Sequence, residues 1–143
     1  MIVIDSSIVI ANILPDENNH YADQILEMLA EDKLQAYVPA IFYLECSNVL
    51  LMAERSKRID RSQRLEYLDM IAQLPLDVDH LAANAESIVD ITKIADNYSL
   101  TTYDAAYLEL AKRKNNPIAT LDKKLLQAAE KLNLSFKPDS IRN

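Results

Sequence analysis

Ile2, Val3 and Ile4 form a β-branched run with no polar alternation, and the run stops on Asp5. A strand with one wet face alternates polar and apolar side chains. A strand without that alternation suits burial on both faces, the condition met in a parallel sheet between two layers of helix. The pattern returns near the other end of the chain, where Pro117-Ile118-Ala119-Thr120-Leu121 reads as a second buried strand and Asp122 follows at once.

Between these two strands the spacing predicts a regular alternation. Ser6 and Ser7 cap a first helix through about Leu14, Pro15 ends it, and a second helix carries Tyr21, Ile25, Leu26 and Leu29 on its apolar side. A strand follows at about Gln35 to Val38. Pro39 suits the first turn of a third helix in which Ile41, Leu44, Glu45, Asn48, Val49 and Met52 fall on adjoining positions, so Glu45 is embedded in an apolar face. After the basic segment RSKRIDRSQR, Asp60 and Gln63 form a capping pair for a fourth helix bearing Leu65, Leu68, Ile71 and Ala72. Leu76 and Val78 alternate with acids as a short strand, and a fifth helix runs from about Leu81 to Ala95. A sixth opens at Thr101 or Thr102 with Asp104 in its first turn and Ala105, Leu108 and Ala111 inward; a last helix carries Leu125, Leu126, Ala129 and Leu132. Leu134 to Phe136 is a candidate final strand. Strands alternating with helices imply right-handed crossovers. The expected fold is a three-layer α/β/α sandwich with a mostly parallel central sheet of four to five strands, and residues 1–143 form one domain.

In an open parallel sheet, ligands gather outside the carboxyl ends of the strands, where Asp5 and Asp122 stand. Each also has a plain structural explanation, because an acid between strand and helix caps the helix and complements its dipole for about 1 kcal/mol. Asp104 has one too, since Thr101-x-x-Asp104 imitates a capping box. Glu45 has none: it lies inside a helix with no Lys or Arg three or four residues away, and a buried unpaired carboxylate is costly. If all four acids converge, neighbouring charges about 4 Å apart repel by roughly 4 kcal/mol at an effective dielectric near 20, so a cation belongs among them. An all-oxygen set selects a hard divalent ion, Mg²⁺ or Mn²⁺, over zinc. His20 and His80 read as surface residues at helix starts, and Cys46 as core. Such a site suits phosphodiester hydrolysis by metal-activated water, which leaves 5′-phosphate and 3′-hydroxyl ends.

The chain contains no glycine. Phosphate-cradling loops need glycine for positive φ and close backbone approach, so a Walker A loop and a dinucleotide fingerprint are both excluded. Half the residues are hydrophobic and 26% are charged, values of a soluble globular protein. The apolar opening has no basic start, is interrupted by Asp5 and Asn12 and stops at Pro15, so neither a signal peptide nor a membrane span is expected. Cys46 stands alone, which points to a reducing cytoplasm.

The residues resemble a known family, the PIN domain, and within it the VapC-type toxins of type II toxin–antitoxin pairs. VIDSSIVI is similar to the family's opening strand, with its first acid at Asp5 and a hydroxyl residue at Ser6. YLECSNVL resembles the helix of the second acid, Glu45, with Asn48 as a supporting residue. TTYDAAYLELA is the most specific piece, similar to the family's YDAxYLALA helix with the third acid at Asp104. PIATLDKKLLQAAEKLNL resembles the closing strand and helix, with Asp122 as fourth acid and Thr120 as the neighbouring hydroxyl.

The resemblance covers almost the whole chain. It implies a Mg²⁺- or Mn²⁺-dependent endoribonuclease, usually a homodimer, inhibited by a cognate antitoxin whose C-terminal segment wraps the toxin. Asp5 and Asp104 are then expected to bind metal directly, with Asp122 and Glu45 completing the site through metal or water. Where the family often has glycine near the ends of its last helices, this chain has Ser99, Asn116 and Asn133, and asparagine is the next best left-handed cap.

A net charge of −7 speaks against non-specific nucleic-acid binding. The basic residues are unevenly placed, however. Arg55, Lys57, Arg58, Arg61 and Arg64 cluster at one helix junction and Lys123 and Lys124 directly follow Asp122, which makes Arg55, Lys57, Arg58, Lys123 and Lys124 candidate RNA contacts. The plainer explanation is a solvated face, with cations favourable at the end of the third helix. Rival classes also set acids at strand ends. A phosphorylated receiver-like domain is expected to show adjacent acids after the first strand, and a haloacid-type phosphatase a second aspartate two residues on; Ser6 and Ser7 occupy those places. A PIN-like scaffold that binds without cleaving is the remaining alternative, and the presence of all four acids weighs against it.

Overall fold

The computed structural model describes residues 1–138. Strands β1 (Ile2–Ile4), β2 (Ala36–Pro39), β3 (Leu76–Asp79) and β4 (Ile118–Ala119) form an all-parallel sheet in the order β3-β2-β1-β4. Val3 sits between Tyr37 of β2 and Ile118 of β4 in register. No residue of β1 is more than 1% exposed, which accounts for the missing alternation in its sequence. The chain moves outward from β1 to β2 and β3, then returns past β1 to β4. The crevice beyond the carboxyl ends of β1 and β4 is thus a topological switch point, where open α/β sheets hold ligands.

The helices are α1 (Ser6–Ile13), α2 (His20–Ala30), α3 (Phe42–Arg55), α4 (Arg61–Ala72), α5 (Ile88–Tyr98), α6 (Thr102–Lys114) and α7 (Lys123–Lys131). Helix α6 lies against β1, β2 and β4 with α5 and α7 beside it, whereas α1 packs on α2 and α3, and α3 on α4. The result is the expected three-layer α/β/α arrangement. The capping pair before α4 is a full capping box: Asp60 Oδ1 accepts from Gln63 N at 2.8 Å and Gln63 Oε1 from Asp60 N at 2.9 Å. No helix among the described residues is long and apolar enough to cross a membrane.

Several boundaries differ from the sequence expectation. Pro39 closes β2 rather than opening α3; its register partner Asp79 is the last residue of β3, so the missing N–H falls where the ladder ends. The buried stripe of α3 is Phe42, Cys46, Leu50 and Ala53. That is one residue along from the expected stripe, a rotation of about 100°. Leu44 is therefore 72% exposed, Met52 42%, and Glu45 half-buried at the margin instead of embedded. The helix is apolar nearly all round, so spacing alone does not select its inner face. Helix α4 buries only Ile71 of its expected face, and Leu65 is exposed.

Residues 81–95 do not form one helix either. A short 3₁₀ turn at Leu81–Ala83 is followed by a turn in which Asn84 Oδ1 accepts from Glu86 N at 3.1 Å, an alternative partner that breaks the helical ladder. The candidate strand at Leu134 to Phe136 reduces to one parallel bridge between Ile118 and Ser135. Without glycine, left-handed turns fall on Asp32, Lys57, Ser99, Asn115 and Asn133. The left-handed residue after α6 is Asn115, one position before the expected Asn116.

At the far end of α6, Arg113 Nη1 and Nη2 donate to the two oxygens of Asp79 at 3.1 and 2.9 Å, and its Nε to Glu109 Oε1 at 2.7 Å. Asp79 Oδ1 also accepts from Leu81 N and Ala82 N at 3.0 and 3.2 Å. This ties the end of β3 and the 3₁₀ turn to α6, and so fixes α6 across the sheet.

Candidate active site

Asp5 occupies the N-cap position of α1, yet its side chain makes no capping hydrogen bond. The carboxylate is turned inward, 4% exposed. Its Oδ2 accepts from Ser7 Oγ at 2.5 Å and from Thr120 Oγ1 at 2.9 Å, whereas Oδ1 has only a 3.5 Å approach from Ser6 Oγ. Ser7 Oγ accepts in turn from Leu121 N, and Thr120 Oγ1 from Asp122 N, each at 3.0 Å. A hydroxyl has one proton to give, so both are oriented onto Asp5. Burial pushes the Asp5 carboxyl above its usual range, with the Ser7 and Thr120 hydroxyls and the nearby amides of Ser7 and Ser6 pulling the other way.

Asp122 does cap its helix, because Oδ1 accepts from Leu125 N at 2.8 Å. Asp104 is held by the true cap of α6: Thr101 Oγ1 accepts from Asp104 N at 3.1 Å and donates to Asp104 Oδ2 at 2.9 Å. Glu45 reaches the same region from α3. Its Oε1 accepts from the hydroxyl of Tyr107 at 2.6 Å, and Tyr107 is wholly buried. Each of the four acids therefore has one oxygen fixed by a protein donor and a second that is left with at most the weak Ser6 contact among the described residues.

The four also share one electric field. The Glu45 carboxyl is pushed up to about 7, first by burial and then by the charges of Asp5 and Asp104, against the pull of the Tyr107 bond. Asp104 is raised by burial and by Asp122 and Asp5, while Thr101 and the Lys124 ammonium oppose the shift. As they stand, no three of the described acids, histidines or cysteines are drawn close enough to hold an ion. The donor chemistry nonetheless fits a hard divalent cation: the ligand atoms are all oxygen, and the mutual repulsion is of the sign that such a cation relieves. The free oxygens of Asp5, Glu45, Asp104 and Asp122 are those that would hold it.

Sequence reasoning missed Tyr107 and Ser7. Tyr107 lies three residues after Asp104, hence on the same side of α6, which is the signal that could have linked it to the site. Ser6 and Ser7 line a 340 Å³ groove with Val49, Leu121 and Asp122, and Val49 continues it into a 540 Å³ groove past Asn48, Met52 and Arg55. Asn48 is exposed there, with no hydrogen bond to the four acids among the described residues. Of the basic residues at the α3–α4 junction, Arg58 is committed to Asp16, with two bonds of 2.8 Å, and to Glu17, and Arg64 to Glu54. Arg55 and Lys57 carry no ion pair among the described residues, nor do Lys123 and Lys124 at the start of α7. His20 and His80 are exposed and Cys46 is buried.

No functionally curated protein matches this chain. Three solved structures share its fold. The PAE2754 protein of Pyrobaculum aerophilum is 17% identical, with a TM-score of 0.70 over 97% of this chain and 90% of that one. VapC20 of Mycobacterium tuberculosis, described as a sarcin-ricin loop cleaving toxin, is 13% identical, with a TM-score of 0.64 over 90% and 95%. FitAcB from Neisseria gonorrhoeae is 17% identical, with a TM-score of 0.61 over 96% and 98%. At these identities the likeness is one of fold. The PIN domain family model matches the sequence itself over residues 2–131, and the chain thus belongs to the PIN domain family.

Proposed function

We propose that this protein is a Mg²⁺- or Mn²⁺-dependent endoribonuclease and the toxin of a toxin–antitoxin pair. The observation that carries the reading is the half-satisfied state of the four acids, each anchored by one oxygen with the other left for a ligand. Family membership and the likeness to VapC20, a toxin described as cleaving the sarcin-ricin loop, support it. A bound divalent cation would orient the scissile phosphate, activate water and offset charge on the leaving oxygen. Asp5 and Asp104 are its principal ligands, and Asp122 and Glu45 complete the set directly or through water. Ser7 and Thr120 keep Asp5 Oδ1 directed at the site by holding Oδ2. Tyr107 does the same for Glu45 by holding Oε1.

Asp5→Asn and Asp104→Asn are expected to abolish metal-dependent cleavage of RNA with the circular dichroism spectrum unchanged, and the wild-type products to carry 5′-phosphates. Chelator-resistant cleavage by these variants, or 2′,3′-cyclic phosphate ends, would overturn the mechanism. The toxin role, a cytoplasmic location, a homodimeric state and an antitoxin partner belong to the same proposal. An adjacent gene for a DNA-binding antitoxin that relieves growth arrest on expression is the expected result. Absence of both the gene and the arrest would overturn the toxin role.

A further inference from the structure

Helix α7 pairs an acidic cap with a basic first turn. A first helical turn favours acids, because the amide end of the helix dipole is positive, yet α7 begins Lys123-Lys124 with no acid in that turn. Asp122 at the cap supplies the negative charge that this end of the helix favours, so the two lysines add nothing to the helix itself. Lys124, Gln127 and Lys131 recur at helical spacing on one side of α7 and line a 270 Å³ groove whose opposite wall is Tyr98 and Ser99, at the left-handed end of α5. The groove lining holds two cations and no acid, in a chain of net charge −7. Three arginines are spent within the fold, Arg58 on Asp16 and Glu17, Arg64 on Glu54 and Arg113 on Asp79 and Glu109, whereas Lys124 and Lys131, like Arg55, Lys57 and Lys123, are in no ion pair among the described residues. The groove also abuts the acids. Lys124 lines it while its ammonium lies within electrostatic reach of Asp104.

We propose that this groove is a substrate subsite in which Lys124 and Lys131 hold successive phosphates of a single RNA strand on its way from the acid site, and Tyr98 offers a ring face to a base. The inference rests on the ribonuclease reading above. A basic groove with an aromatic wall is the usual means of holding a single strand without reading its sequence. A second groove, lined by Ser6, Ser7 and Asp122, also reaches the acids.

The test uses the full chain in EDTA, to prevent cleavage, and the anisotropy of a short fluorescein-labelled single-stranded RNA over a range of salt. The double variant Lys124→Ala/Lys131→Ala is expected to bind at least tenfold more weakly at low salt. Its slope of log affinity against log salt should be shallower by about 1.4, at roughly 0.7 for each phosphate no longer neutralised. With metal restored, cleavage should show a raised KM. Lys33→Ala, paired with Glu31 elsewhere on the surface, should match the wild type throughout. Wild-type affinity and slope in the double variant, with the wild type itself binding and cleaving, would overturn the groove and leave the nuclease standing. So would a fall in kcat alone, which would make Lys124 an electrostatic neighbour of the acids only. A wild type that neither binds nor cleaves RNA would overturn both readings.

Discussion

The phenol of Tyr107 has a fully buried ring and one polar bond, to Glu45, so a change that removes only the oxygen isolates what the bond does. Tyr107→Phe should cost about 1 kcal/mol in urea unfolding, the net worth of an ordinary hydrogen bond. Groups that orient a metal-site carboxylate matter more to function than to folding. Cleavage is therefore expected to fall roughly tenfold or more, with a higher Mg²⁺ requirement, by the usual size of such indirect effects. An unchanged metal requirement would show that Glu45 needs no orienting. At this scale the acids themselves are legible from the chain, and their relative weight is not. Sequence logic makes Glu45 the decisive residue because no cap explains it, and lets Asp5 pass as a helix cap. In the structure Asp5 caps nothing, while Glu45 is half-buried and has a partner. Both differences depend on side chains from remote segments, Thr120 and Tyr107, which local spacing does not contain.

Helix α6 carries Asp104 in its first turn and is pinned at its last by Arg113 between Asp79 and Glu109, two buried carboxylates. Arg113→Ala leaves Glu109 without its cation and Asp79 with only Lys114 Nζ at 3.8 Å, and should destabilise the protein by about 3 kcal/mol. The pH dependence has a definite sign. Burial works to raise the Asp79 carboxyl, but the Arg113 guanidinium and the amides of Ala82 and Leu81 outweigh it and hold the group below 3.8. A carboxyl depressed in the folded state contributes stability above its unfolded value and loses it as pH falls through the folded one. The gap between wild type and Arg113→Ala should thus be constant from neutral pH to about 4 and narrow below that; a gap that widens on acidification would contradict the assignment. The helices with clear ends, α4 with its Asp60–Gln63 box and α6 with its Thr101 cap, are legible in the sequence. The inner face of α3 and the start of α5 are not. One is apolar on too many sides for spacing to choose, and the other is interrupted by the Asn84 turn.

Across the whole molecule, repulsion among the clustered carboxylates sets a cost on folding that a cation bound as proposed would offset. Saturating Mg²⁺ or Mn²⁺, at about a hundred times its Kd, should stabilise the chain by about 2.7 kcal/mol. For a chain of this size that is roughly 5–10 °C in Tm. Calcium-free thermal melts of the wild type and Asp5→Asn, with and without Mg²⁺, check this: the shift belongs to the wild type and should vanish in the variant. An equal shift in both would place the ion elsewhere.

The pairing of β1 with β4 bears on when the acid cluster can assemble during synthesis of the chain. The Thr120 hydroxyl that fixes Asp5 is 115 residues further along the chain. At ribosomal speeds, roughly 6–23 s separate the translation of the two residues. For that interval the first acid has neither its second hydroxyl nor the strand beside it, and a nascent or prematurely ended polypeptide has no complete acid cluster. A chain of this design brings its four acids together only after the last of them has been made.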